Sequence, residues 1–103
     1  MEFASFDLET MRLLPDGDEI SDLGISCAAI ALTNDSKVKF WRASKGLSVE
    51  SAKSLVWYLQ EVADDGYMPV TWNGTGFDFC VLAQTSGLYA ECRDLAMDHV
   101  DLM

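Results

Sequence analysis

The run Phe6-Asp7-Leu8-Glu9-Thr10 sets two carboxylates two residues apart within a longer alternation, in which Phe3, Ser5, Asp7 and Glu9 interleave with Ala4, Phe6, Leu8 and Thr10. A period of two is the pattern of a strand. Residues i and i+2 of a strand leave the same face, roughly 6 to 7 Å apart at the backbone, so Asp7 and Glu9 are placed to converge on one cation while Leu8 points into the core. A third carboxylate, Asp78, follows the stretch Thr71-Trp72-Asn73-Gly74-Thr75-Gly76-Phe77. Three carboxylates brought together repel one another unless a hard divalent cation neutralises them. The expected occupant is Mg²⁺ or Mn²⁺.

The elements needed to position these groups are legible in outline. Leu14 to Asp22 reads as a solvated acidic loop, because Pro15, Asp16, Gly17 and Asp18 supply turn chemistry. A calcium-binding loop fits it poorly, since Ile20 and Ser21 stand where such a loop needs a ligand and a glycine. A second strand is expected at about Gly24 to Thr33, and Asn34, Asp35 and Ser36 turn the chain into a third, Lys37 to Ala43. Lys37 and Lys39 on that strand are read as protection of a sheet edge rather than as phosphate ligands.

From Ser48 the period changes. Val49, Ala52, Leu55, Val56, Leu59, Val62 and Ala63 recur every three or four residues, which predicts an amphipathic helix that Ser48 caps and Gly66 ends. Met68 to Trp72 is expected as a buried strand, Gly76 to Gln84 as a helix ending near Gly87, Ala90 to Met97 as a helical turn or two, and His99 to Leu102 as the start of another strand. The fold class is then α/β, a mixed sheet flanked by helices. A right-handed crossover through the Ser48 helix sets the Met68 strand parallel to the first strand and beside it. Asp7, Glu9 and Asp78 then meet at the carboxyl ends of adjacent strands, where open α/β sheets hold their ligands.

The chain has 103 residues, 50% hydrophobic and 23% charged, the composition of one globular unit without repeats or linkers. Its 17 acidic residues against 7 Lys and Arg leave a formal charge of -10, which argues against a broad basic surface gripping a long duplex. Cys27, Cys80 and Cys92 lack the spacing of a zinc or redox motif and the arithmetic of a disulfide framework. They are expected to be buried, reduced thiols in a cytoplasmic protein, and no export signal or membrane anchor is read in the sequence. His99 is expected at a surface or interface, and Trp41, Trp57 and Trp72 in core or edge packing rather than as base-stacking platforms.

Phe6-Asp7-Leu8-Glu9-Thr10 resembles the first motif of the DEDD superfamily of 3′-5′ exonucleases, in which a hydrophobic strand ends in Asp-x-Glu. Thr71 to Asp78 looks like the second, in which a strand leads through Asn and a short turn to Phe-Asp at a helix start, and Leu82 fits the apolar position that follows. The phrasing is closest to the proofreading exonuclease domains of family B DNA polymerases. The resemblance implies a ribonuclease H-like fold and a two-metal hydrolysis of phosphodiester bonds at a single-stranded 3′ end. It makes Asp7 the bridging ligand, Glu9 a ligand of one ion that orients the attacking water, and Asp78 a ligand of the second ion. It also implies that Thr10 and the Leu8 backbone contact the terminal nucleotide, and that Asn73 and Phe77 hold the turn beside a base.

The family's third motif, Tyr-x3-Asp or His-x4-Asp, has no counterpart here: Tyr89 is followed by Arg93 at the required spacing, and His99 would need residue 104. The sequence is therefore read as the N-terminal part of such a domain, residues 1–103, ending before the final helices. Asp98 and Asp101 are the nearest substitutes for the missing carboxylate. An uncovered apolar surface is expected to favour a homodimer. The competing readings are an inactive ribonuclease H-like module that binds metal or a partner, and a haloacid dehalogenase-like phosphatase, whose second Asp is replaced here by Glu9.

Overall fold

Alternation in the first strand becomes two distinct faces. Ala4, Phe6 and Leu8 are buried, and Ser5, Asp7 and Glu9 are exposed. In the computed structural model, which describes residues 2–10, 24–71, 78–97 and 99–101, the elements in chain order are β1 (Glu2–Thr10), β2 (Ile25–Leu32), β3 (Val38–Arg42), α1 (Val49–Asp64), β4 (Tyr67–Thr71), α2 (Phe79–Ser86), α3 (Tyr89–Met97) and β5 (Val100–Asp101). The acidic loop Leu14 to Asp22 lies outside the described residues, as do Trp72, Asn73, Gly74, Thr75, Gly76, Phe77, Asp98 and Leu102.

The strands form one sheet in the order β3-β2-β1-β4-β5. β1 pairs antiparallel with β2, and β2 with β3, through short connections. β4 runs parallel to β1 and β5 parallel to β4, as strands joined through helices do. This is the mixed α/β sheet flanked by helices that was expected, with β1 at its centre and β3 on one edge.

α1 begins where Ser48, in extended conformation, accepts a hydrogen bond from the Ser51 backbone N–H at 3.1 Å, a cap that contributes about 1 kcal/mol. Beyond Asp65 the chain turns through Gly66 at φ +97°, a left-handed conformation that costs glycine nothing. The predicted apolar stripe is buried at Ala52, Leu55, Val56, Leu59 and Val62. Val49 departs from it and is half exposed, because the first helical residue precedes the turn that meets the sheet. α2 stops at Gly87 in the left-handed region, and the turn or two expected after it is a full helix, α3, which buries Cys92 and Leu95.

The three helices share one hydrophobic cluster with Ala4, Phe6, Leu8, Ala28, Ile30 and Trp41, and they therefore cover one face of the sheet. Each large apolar side chain in that cluster gains about 1.5–3 kcal/mol from leaving water. Trp41 packs on Tyr58 of α1 with ring centroids 5.5 Å apart. Trp57, expected in packing, stands half exposed instead. Only Cys92 of the three free thiols is buried; Cys27 and Cys80 are half-buried. Burial pushes the Cys92 thiol up to about 11, against the pull of a hydrogen bond with Ser86, so it stays protonated and inert at neutral pH. No described helix is long and apolar enough to cross a membrane.

Candidate active site

Asp7 and Glu9 stand on the face of β1 that the helices leave open, at its carboxyl end. The β1/β4 ladder pairs Ser5 with Val70, so both acids lie beyond that row, where ligands collect on sheets of this kind. Leu8 between them is buried, and only its backbone faces the site. The strand is irregular here: Glu9 pairs with Cys27 and Thr10 with Ile25, which leaves Ser26 as the extra residue of a bulge. Bulges of this type bend a strand and re-aim the side chains beside them.

The bulge supplies two contacts that hold Glu9. The Ser26 hydroxyl donates to the Glu9 carbonyl at 3.1 Å, and the Cys27 thiol donates to Glu9 Oε2 at 3.8 Å. Ser26 and Cys27 were not candidates in the sequence. Nothing in their spacing marks them, because their roles come from cross-strand register, and a partner 17 or 18 residues away has no local signature.

Asp78 sits at the start of α2, in helical dihedrals, and is buried to 4% exposure. The link between its motif and that of Asp7 is aromatic. Phe79, the residue after Asp78, packs its ring on Phe6, the residue before Asp7, with centroids 5.5 Å apart. His99 also meets Phe79, edge-on with centroids 5.0 Å apart, with its Nδ1–H donating to the Ala96 carbonyl. It remains partly exposed. Thr10 is half-buried at the end of β1.

The structure thus brings the two motif-bearing elements together without gathering the three carboxylates. Asp7 and Glu9 face solvent, Asp78 is buried at a helix start, and among the described residues no three His, Cys, Asp or Glu side chains are close enough to hold one ion. Asn73 and Phe77, the residues expected beside a base, lie outside the described residues. A separate cleft of about 590 Å³ between the end of α1, the start of β4 and α3 is lined by Asp64, Tyr67, Glu91 and Asp94. It opens at the amino end of β4, away from β1's acids.

No protein-family model matches the sequence, and no curated protein matches it. Among solved structures, the chain is similar to the family B DNA polymerase of the hyperthermophilic archaeon Pyrobaculum calidifontis, with a TM-score of 0.63 over 86% of this chain. The likeness is one of fold. Identity is 19%, and the match spans 11% of the polymerase chain. An α/β fold shared with part of that chain is what this comparison establishes.

Proposed function

We propose that the carboxyl end of β1 is the metal-binding part of a 3′-5′ exonuclease centre that acts on a single-stranded nucleic-acid end. The observation that carries this reading is the pair Asp7 and Glu9 on one open face of the central strand, with α2, whose start carries Asp78, packed against the opposite face of the same strand through the Phe6–Phe79 contact. The fold-level likeness to a family B DNA polymerase supports it.

The donors suit the ions proposed. Asp7 and Glu9 offer exposed carboxylate oxygens, the ligand type that Mg²⁺ and Mn²⁺ prefer. On this reading Asp7 and Glu9 would hold one cation together, and Asp78 would serve a second from the start of α2, which the structure holds apart from the open face. When bound, the two cations supply the Lewis acidity that activates water and stabilises the departing 3′ oxygen. The chain's own contribution is positional. Ser26 and Cys27 fix the backbone and one oxygen of Glu9, the residue assigned to orient the water. Leu8 and Phe6 anchor β1 in the core beneath it.

The separation of Asp78 from the open face favours one second reading, a module that binds a cation or a partner through Asp7 and Glu9 without hydrolysis. An assay on single-stranded DNA labelled at its 3′ end, with Mn²⁺, separates the two. The exonuclease reading expects nucleoside monophosphates, no reaction in chelator, and at least a roughly 100-fold loss in Asp78→Ala, since even outer-shell partners of a metal are worth 10–100-fold. Mn²⁺ binding without product identifies the inactive module.

A further inference from the structure

The charge of the chain is not evenly spread. Four of its seven basic residues, Lys37, Lys39, Arg42 and Lys45, fall within nine consecutive positions that contain none of its 17 acids. Those positions are β3 and its flanks, on the edge of the sheet. All four basic residues are exposed there, and between them Phe40 is 53% exposed and Val38 43%. Edge protection accounts for a lysine but not for an exposed phenylalanine, because an apolar edge invites aggregation.

Register shows where these side chains stand. Trp41 and Lys39 pair with Ala28 and Ile30 on the helix-covered face, and the Lys39 ammonium is spent there, 4.2 Å from the Tyr58 ring centroid and 5.5 Å from that of Trp41. Val38, Phe40 and Arg42 take the open face. Across the sheet they form rows with the candidate site: Phe40–Ala29–Asp7, and Arg42–Cys27–Glu9. Strands lie about 4.8 Å apart, so Phe40 and Asp7 are about 10 Å apart at the backbone, with only small β2 residues, Cys27, Ala29 and Ala31, between them. The Arg42 guanidinium lies over the Phe40 ring at 4.6 Å. That pair has the chemistry of a base-stacking platform: a π face backed by a cation that also meets phosphate.

We propose that β3 and its flanks, Lys37 to Lys45, form a binding edge for single-stranded nucleic acid. Phe40 and Arg42 stack a base and take a phosphate, and the shallow floor of β2 leads the strand to Asp7 and Glu9. This deepens the exonuclease reading and rests on it for the direction of the strand. It also answers the charge of -10, since capture uses one short basic edge rather than a basic surface.

The test is binding of a short oligothymidylate, read by anisotropy and by quenching of a 2-aminopurine placed within it, in chelator so that no metal contributes. Saturable binding with quenching is expected. Phe40→Ala should weaken it about 10-fold, in the range of one lost stacking contact, and Phe40→Trp should retain it. Arg42→Gln should lower the log–log salt slope by about 0.7, the value for one phosphate on a single strand. A parallel run of the wild-type chain with Mn²⁺ in place of chelator reads hydrolysis, so binding in chelator with no product in Mn²⁺ refutes the exonuclease reading and supports the edge. No binding, or binding indifferent to both the Phe40 and Arg42 substitutions, overturns the proposal. So does a dimer in sedimentation that Phe40→Ala dissolves while the oligonucleotide stays unbound, which would make this edge an interface between two copies of the chain.

Discussion

Asp7→Asn should abolish the stabilisation by divalent cations that the proposed site predicts. A ligand at 100 times its dissociation constant adds about 2.7 kcal/mol to the native state, and in a domain of this size each kcal/mol moves the thermal midpoint by about 4–8 °C. Saturating Mn²⁺ should therefore raise the wild-type midpoint by roughly 10–20 °C and leave that of Asp7→Asn in place. In chelator the order reverses or vanishes. Asp7 is exposed, so its neutralisation removes no packing and relieves its repulsion with Glu9 on the same face. Thermal melts of both chains with and without Mn²⁺ read all four values. An equal shift in the two chains would place the cation elsewhere, with the acids of the cleft at Asp64, Glu91 and Asp94 as the first alternative.

Phe6→Ala should be strongly destabilising. Phe6 is 1% exposed, and truncating a buried Phe costs about 3–5 kcal/mol through lost transfer energy and the cavity left behind. The ring contact with Phe79 is worth about 0.5–1.5 kcal/mol beyond area. Against a total of about 5–15 kcal/mol for a domain of this length, such a loss brings the chain to the edge of unfolding. Urea titration should show a lower midpoint with an unchanged slope, and Ser5→Ala, one residue away on the open face, should stay within about 0.5 kcal/mol of wild type. The same substitution disconnects the two motifs, because Phe6 and Phe79 are the neighbours of Asp7 and Asp78. One aromatic pair thus contributes both to the stability of the core and to the placing of the two motifs.

What the sequence reveals and what it conceals divide along physical lines. β1 is readable because its alternation is strict, and its two acids fall on the polar phase of that alternation. α1 is readable because its apolar period, its serine cap and its glycine terminus agree. α3 is harder, since it buries only Cys92 and Leu95 and its stripe is too thin to tell a helix from a turn. The bulge at Ser26 and the thiol of Cys27 against Glu9 exist only once β1 and β2 have a register, which no local pattern encodes. Phe40 illustrates the same limit. Lys37 to Ala43 reads correctly as an edge strand, yet which of its residues share a face with Asp7 follows from the β2/β3 pairing. The burial of Asp78 is of this kind too. Its motif places it at a helix start, and only the docking of that helix, with Phe79 packed on Phe6, decides that it lies inside.

Cations bound at the carboxyl end of β1 should reveal themselves, without any assay of activity, in paramagnetic broadening of backbone amide resonances by substoichiometric Mn²⁺. Broadening should centre on Asp7, Leu8, Glu9 and Thr10, extend across the sheet to Cys27, and reach Asp78 and Phe79 at the start of α2. Broadening confined to Asp64, Glu91 and Asp94, or absent from β1, would contradict a cation site at that end of the strand.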